Sequence, residues 1–174
     1  MRKTYLNSLY IVALTWAGLS NAEPVKSIAP TLNGIEFPIG YANWQTISVS
    51  HRIDNDSIRT ILGNPVAIQA ARNGKTNPWP DGAILAKVAW KQRVDENWPS
   101  AIVPGEFHQV EFMFKDAKKY LTTKGWGYAR WRGKELKPWG ENADFAQGCV
   151  ACHTPVANRD YVFSTPAVFI DAKK

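Results

Sequence analysis

The sequence predicts a single α+β domain that is mainly β, with a few short helices and a helix near its C-terminus. The 174 residues are the size of one domain, and 45% of them are hydrophobic and 12% aromatic, enough to fill one core. Several short segments alternate polar and apolar residues, which is typical of half-buried strands. Two other segments have helix-capping signals. This composition excludes a disordered chain, and no segment recurs at a fixed period.

The N-terminus has the pattern of a secretory signal peptide. Arg2 and Lys3 precede a largely apolar run over residues 5–19, and Ser20-Asn21-Ala22 supplies the small residues of a cleavage site. The run is shorter than the ~20 apolar residues that a membrane span needs. We therefore expect cleavage after Ala22, export to the periplasm, and no membrane span in the mature protein.

Removal of the signal peptide lowers the net charge of the protein. The formal charge of +6 falls to +4 because the signal contains two bases and no acid. The remaining basic residues are scattered rather than clustered, so nucleic acid is not an expected partner. The chain then divides into the signal peptide (1–22), an extended, proline-punctuated lead-in (23–43) and one folded domain (44–174).

The predicted elements follow in chain order. Five runs of alternating or β-branched residues are expected to be strands: 46–50, 58–62, 83–90, 107–114 and 127–131. The segment 65–72 has Asn before it, Pro at its first position and Gly soon after its end, so we expect a short helix. Residues 115–121 are predicted to form another short helix, and residues around Pro138 a loop. The last helix should begin near Asn142, which can cap it, and continue into the two cysteines.

Two of the predicted strands carry polar residues on an otherwise apolar pattern. Lys87 shares one face of its strand with Ala83, Leu85 and Ala89. By pattern alone such a lysine is typical of a sheet edge or of an ammonium that reaches solvent. In the next strand Val110, Phe112 and Phe114 should face a core, with Gln109, Glu111 and Met113 on the other face. By pattern alone Glu111 is a solvated residue and Arg59 a surface charge.

The two cysteines belong to the segment Cys149-Val150-Ala151-Cys152-His153, a C-x-x-C-H motif that is the attachment pattern for c-type haem. On a helix, residues i, i+3 and i+4 share a face, so both thiols can reach the vinyl groups of one porphyrin while His153 reaches its iron. A redox-active cysteine pair would need a βαβ context, and a zinc site two more ligands. The motif therefore predicts one covalently attached haem c.

The strand pattern and the late motif together resemble the cytochrome P-460 family, which includes the β-sheet cytochromes c′. Small electron carriers place the motif near the start, and helical-bundle cytochromes c′ need four long helices, so neither class matches. Four stretches carry the resemblance: 58–60, 81–87, 111–116 and 149–163.

The resemblance implies an antiparallel sheet, a homodimer, and His153 as proximal iron ligand with an open distal side. It further implies that Lys87 becomes covalently bonded to the porphyrin, that Arg59 lies near the haem edge or its propionates, and that Glu111 lies on the distal side and relays protons. The implied activity is oxidation of hydroxylamine, with electrons passed to a periplasmic redox partner.

Two alternatives to this enzyme remain open at the level of sequence. In a nitric oxide or gas-binding protein, hydrophobic residues would cap the iron, and Phe107, Phe112 and Phe114 are candidates. In a simple electron carrier, Met113 would be the sixth ligand of the iron and would close the site. The lone histidines His51 and His108 are expected to be structural residues.

Overall fold

The computed structural model describes residues 27–170, so the predicted signal peptide (1–22) lies outside the described residues. Within this range, six strands form one antiparallel sheet in the order of the chain. They are β1 (Gln45–Arg52), β2 (Ser57–Gly63), β3 (Ile84–Val94), β4 (Ile102–Lys115), β5 (Trp126–Arg132) and β6 (Lys137–Pro138). Two α-helices are present in this part of the chain, α1 (Pro65–Arg72) and α2 (Ala146–His153). The mainly β, α+β class and the C-terminal helix are confirmed.

Both predicted helix starts have the expected caps. The Asn64 side chain accepts a hydrogen bond from the Ala67 backbone N–H at 3.0 Å, and α1 begins at the following proline. The Asn142 side chain accepts one from the Asp144 backbone N–H at 2.9 Å. It caps a 3₁₀ turn, Ala143–Phe145, which leads directly into α2. The cap residues therefore fix where the motif helix starts.

Two local predictions were wrong. Residues 115–121 do not form a helix, because Lys115 still belongs to β4 and the Asp116 carboxylate accepts the backbone N–H groups of Lys118 and Lys119 in a turn. A short 3₁₀ helix, Leu121–Thr123, follows that turn. The segment around Pro138, predicted as a loop, includes the two-residue edge strand β6, where proline is tolerated because no further strand pairs with it.

The sheet separates two buried clusters. On the side that we call the helix face, α1 and α2 cover a cluster that includes Ile61, Leu85, Trp126 and Tyr128. On the other side, which we call the lead-in face, Phe112 and Trp131 are almost completely buried together with Val110.

The residues before β1 cover the lead-in face. They include Ile35, Phe37, Tyr41 and Trp44, and the Trp131 indole N–H donates to the Ala29 carbonyl at 2.9 Å. A 3₁₀ turn, Tyr41–Asn43, joins this segment to β1. Within residues 27–170, no helix has the length and apolar character needed to cross a membrane.

Candidate haem site

Helix α2 and the turns after it position the C-x-x-C-H motif on the helix face. Cys149 is half-buried against the core cluster of that face, Cys152 is exposed, and both thiols are free. His153 Nδ1 lies 2.6 Å from the carbonyl oxygen of Tyr161. Because a carbonyl can only accept, Nδ1 carries the proton and Nε2 keeps a free lone pair. The histidine is thus oriented as a metal ligand with a fixed tautomer.

Aromatic rings enclose the same histidine. The centroid of the His153 ring is 5.5 Å from that of Tyr128 and 5.1 Å from that of Phe163. Burial lowers the pKa of His153, in spite of the hydrogen bond to the Tyr161 carbonyl, which acts in the opposite direction. A neutral imidazole is the form that binds a metal, so the environment favours ligation at neutral pH.

A row of charged side chains crosses the helix face on three neighbouring strands. By register Lys87 of β3 lies opposite Glu111 of β4, and Glu111 lies opposite Arg130 of β5. The Glu111 carboxylate forms ion pairs with both cations, and the three side chains are 32%, 13% and 23% exposed in the order of the strands. The edge position expected for Lys87 from pattern alone was wrong, because β3 is an interior strand of the sheet. The solvated position expected for Glu111 was also wrong, because its side chain is largely buried between the two cations.

The environment of Lys87 makes its amine unusually easy to deprotonate. Burial lowers the pKa of Lys87 to about 8 from an ordinary value of 10.5, and the nearby Arg59 and Arg130 guanidiniums act in the same direction. The neutral amine is the nucleophilic form of lysine. Burial and the two nearby cations therefore favour the reactive form of Lys87, and Glu111 is the carboxylate that pairs with it.

Arg130 is a site residue that the sequence analysis missed. Its guanidinium stacks over the Trp139 ring at 4.3 Å from the centroid while it pairs with Glu111. The strand prediction for residues 127–131 already placed its side chain opposite in direction to Trp131. The sequence pattern did not give the register between β4 and β5, which puts Arg130 beside Glu111.

Arg59 lies on β2 beside this row, next to an open pocket of about 160 Å³. Its Nε donates to the Ser57 hydroxyl at 3.3 Å, and no carboxylate among residues 27–170 comes within 4.0 Å of its guanidinium. Lys87 and His108 line the same pocket, so His108 lies closer to the site than its isolated place in the sequence suggested. The other lone histidine, His51, is exposed and bonds to the Gln92 amide.

Comparison with protein families gives one match that covers most of the chain. The model of the family described as cytochrome P-460 matches residues 38–164, which include the sheet, the charged row and the motif helix. The chain belongs to the cytochrome P-460 family. A comparison with curated proteins gives no match. As a member of this family, the protein is a c-type haem cytochrome.

The residues present fit a haem on the helix face. The Tyr128 hydroxyl and Arg130 Nε are buried there without a hydrogen-bond partner in the described part of the chain. Residues 27–170 contain no group of three His, Cys, Asp or Glu side chains that could hold a metal ion, so the cysteine pair lacks the further ligands of a zinc site. Two thiols at helical spacing and one oriented imidazole match the attachment chemistry of haem c in a cytochrome P-460.

The three phenylalanines do not surround this site. Phe107, Phe112 and Phe114 all pack in the cluster of the lead-in face, on the opposite side of the sheet from Lys87 and the motif helix. The expectation that they could cap the iron was wrong, because alternation along β4 points Phe112 and Phe114 away from Glu111. The register shift between Gln109 and Phe107 turns Phe107 to the same lead-in face. Met113 lies on the helix face and packs against the core cluster that α2 covers.

Proposed function

We propose that this cytochrome P-460 carries one haem c bonded to Cys149 and Cys152, with His153 as the iron ligand, and oxidises hydroxylamine or a similar small nitrogen compound. The supporting observation is the row Lys87–Glu111–Arg130 on the same sheet face as the motif. A charged wall beside the haem suits proton-coupled oxidation of a polar substrate. An apolar wall would suit the capture of a neutral gas.

Glu111 is the proposed proton acceptor. Oxidation of hydroxylamine by two electrons releases two protons, and the electrons leave to a soluble redox partner. The haem, when bound, supplies the iron position at which the substrate nitrogen binds. One Glu111 carboxylate oxygen contacts Lys87 and the other contacts Arg130, so the carboxylate is held in a fixed position from which it can accept a proton.

Lys87 is proposed to form the additional bond to the porphyrin. Its lowered pKa provides the neutral amine that such a bond needs. Forming the bond replaces one amine N–H and one porphyrin C–H by a C–N bond and releases two protons and two electrons. A two-electron oxidant of the peroxide class therefore has to accept the electrons, and Glu111 is placed to take a proton from the amine.

Arg59 is proposed to bind a haem propionate. Its guanidinium has no carboxylate partner among the described residues and faces an open pocket beside Lys87. An arginine in this setting pairs well with a carboxylate, because its planar fork matches the two oxygens. The pair would fix the rotation of the haem relative to Glu111.

We also propose export to the periplasm, a periplasmic redox partner and a homodimer. The signal pattern before Ala22 supports export, and covalent haem attachment occurs in such compartments. Sizing of the mature protein by light scattering tests the dimer. N-terminal sequencing of the exported protein tests cleavage after Ala22.

The activity is tested by hydroxylamine-dependent reduction of a soluble acceptor. We expect turnover by the parent protein and a loss on the order of 10²–10⁴-fold in kcat for Glu111→Gln, because the proton acceptor is gone. Glu106→Gln is the matched control, since Glu106 is an exposed carboxylate on the same strand. Its kcat should equal that of the parent.

Two other results would contradict the enzyme. Five-coordinate haem that binds nitric oxide but reduces no acceptor with hydroxylamine would indicate the gas-binding protein. Six-coordinate resting haem that changes on Met113→Ala would indicate the electron carrier. Equal kcat values for Glu111→Gln and the parent would remove Glu111 from the mechanism and leave the activity in place.

A further inference from the structure

A buried ion pair joins the end of β4 to the turn that follows the motif helix, and it shares no residue with the charged row. Lys115 Nζ of β4 donates to Asp160 Oδ1 at 2.7 Å, and the two side chains are only 7% and 9% exposed. The lysine ammonium also lies 4.9 Å from the centroid of the Trp126 ring. Burying two charges is costly, and it is tolerated where further hydrogen bonds complete the pair.

Every hydrogen-bonding group of Asp160 is engaged. Its second carboxylate oxygen accepts the Trp79 backbone N–H at 2.8 Å, and its backbone carbonyl accepts the Trp126 indole N–H at 2.8 Å. Its own N–H donates to the Ala157 carbonyl at 3.2 Å. Four separate segments of the chain therefore hold this one residue in place.

The conformation held in this way is unusual. Asp160 has φ of 51° and Tyr161 has φ of 63°, so two successive residues other than glycine adopt the left-handed region. A bulky residue such as tyrosine rarely adopts it, and surrounding contacts must maintain it. The result of this double left-handed turn is that the Tyr161 carbonyl points at His153 Nδ1.

We infer that Asp160, fixed by Lys115, is a positioning residue for the iron ligand. It acts through the turn at Asp160 and Tyr161, which aims a backbone carbonyl at His153 and so sets the tautomer and the electron-donating strength of the imidazole. This inference rests on the proposed ligation of the iron by His153. It assigns the buried ion pair a role in tuning the iron that goes beyond holding the chain end on the sheet.

The physical consequence concerns the iron–histidine bond. A carbonyl that accepts from Nδ1–H makes the imidazole a stronger donor through Nε2, which favours ferric over ferrous iron. Disturbing the turn weakens that hydrogen bond. The midpoint potential of the haem should then shift to more positive values, and the iron–histidine stretching frequency of the ferrous protein should fall.

The test measures both signals in the haem-loaded protein. Asp160→Asn keeps the shape of the side chain but removes the charge that Lys115 needs, and Trp126→Phe removes the indole donor to the Asp160 carbonyl. Both variants should show the positive shift and the lower frequency, with the smaller effect for Trp126→Phe. If Asp160→Asn does not fold, the potential and the stretching frequency of Trp126→Phe are sufficient to test the inference.

Two controls separate positioning from simple stability. Asp95→Asn changes a half-buried turn aspartate that, like Asp160, accepts a backbone N–H, but it lies in the β3–β4 hairpin. Ile68→Val removes one methyl from the core cluster of the helix face and should lower the unfolding temperature. Neither control should move the potential or the frequency.

The outcomes are distinct. If Asp160→Asn and Trp126→Phe lower the unfolding temperature as Ile68→Val does, yet keep the parent potential and frequency, the ion pair is structural and the inference is wrong. A parent protein without an iron–histidine band would overturn ligation by His153 itself, and the positioning role with it. A shift in the two test variants alone supports the inference.

Discussion

Raising the pH is expected to accelerate the formation of the bond between Lys87 and the porphyrin, with a midpoint near pH 8. With a pKa of about 8, roughly a tenth of the Lys87 amine is neutral at pH 7. At the ordinary value of 10.5 the neutral fraction would be only about 0.03%. The site therefore increases the reactive form about 300-fold at neutral pH, and the gain comes from burial and from the two neighbouring guanidiniums.

The assay starts from protein that carries haem on its cysteines but has not yet been oxidised. A peroxide is added at a series of pH values from about 6 to about 9.5, a range that brackets the lowered pKa. The absorption change and the mass of the haem peptide then report bond formation. Lys118→Gln is the matched control because Lys118 is an exposed lysine that lies in the turn after β4, outside the pocket beside Lys87, and its profile should equal that of the parent.

A second variant checks the cause of the lowered pKa. Glu111→Gln removes the carboxylate that pairs with Lys87 and leaves the two guanidiniums, so the pKa should fall further and the midpoint should move to lower pH. A rate that does not change with pH, or a midpoint near pH 10, would refute the reasoning. A midpoint that moves to higher pH in Glu111→Gln would also refute the reasoning.

Three further predictions concern residues around the site and in the core. Met113→Ala should leave the coordination seen in the resting absorption spectrum unchanged, while denaturant unfolding shows a loss of about 2 kcal/mol because a partly buried core side chain is truncated. Trp131→Ala should cost about 3–5 kcal/mol in the same unfolding measurement, because the indole is fully buried on the lead-in face, and folded protein should keep the parent haem spectrum. Arg59→Gln should lower the midpoint potential in a redox titration, because loss of a positive charge beside the haem favours the ferric state; an unchanged potential would place the haem away from Arg59.

The direction of each side chain in the sheet could be predicted from the sequence, because the period of two is a local property. Alternation along β3 and β4 correctly separated Lys87 and Glu111 from Phe112. Register could not be predicted in the same way, because it depends on bulges and on the length of the β3–β4 hairpin. The ion pairs of Glu111 with Lys87 and Arg130 are consequences of register, so the sequence analysis named two members of the row and missed the third.

Contacts between distant segments were also beyond the sequence analysis. Lys115 and Asp160 are 45 residues apart, and both lie in stretches that carry the family resemblance, yet nothing local linked them. The helix predicted for residues 115–121 does not form, because the Asp116 carboxylate competes with it by accepting two backbone N–H groups in a turn. The motif helix was predictable because its cap and its cysteine spacing are both local signals.

Mass spectrometry of the haem peptide tests the central claim most directly, that one haem is bonded to the motif and to the charged row. Proteolysis of the mature protein is expected to release one haem species that contains both the peptide of Cys149 and Cys152 and the peptide of Lys87. Its mass should be lower by two hydrogens than the sum of the haem-bearing motif peptide and the lysine peptide. Haem on the motif peptide alone, together with an unmodified Lys87 peptide, would contradict the account.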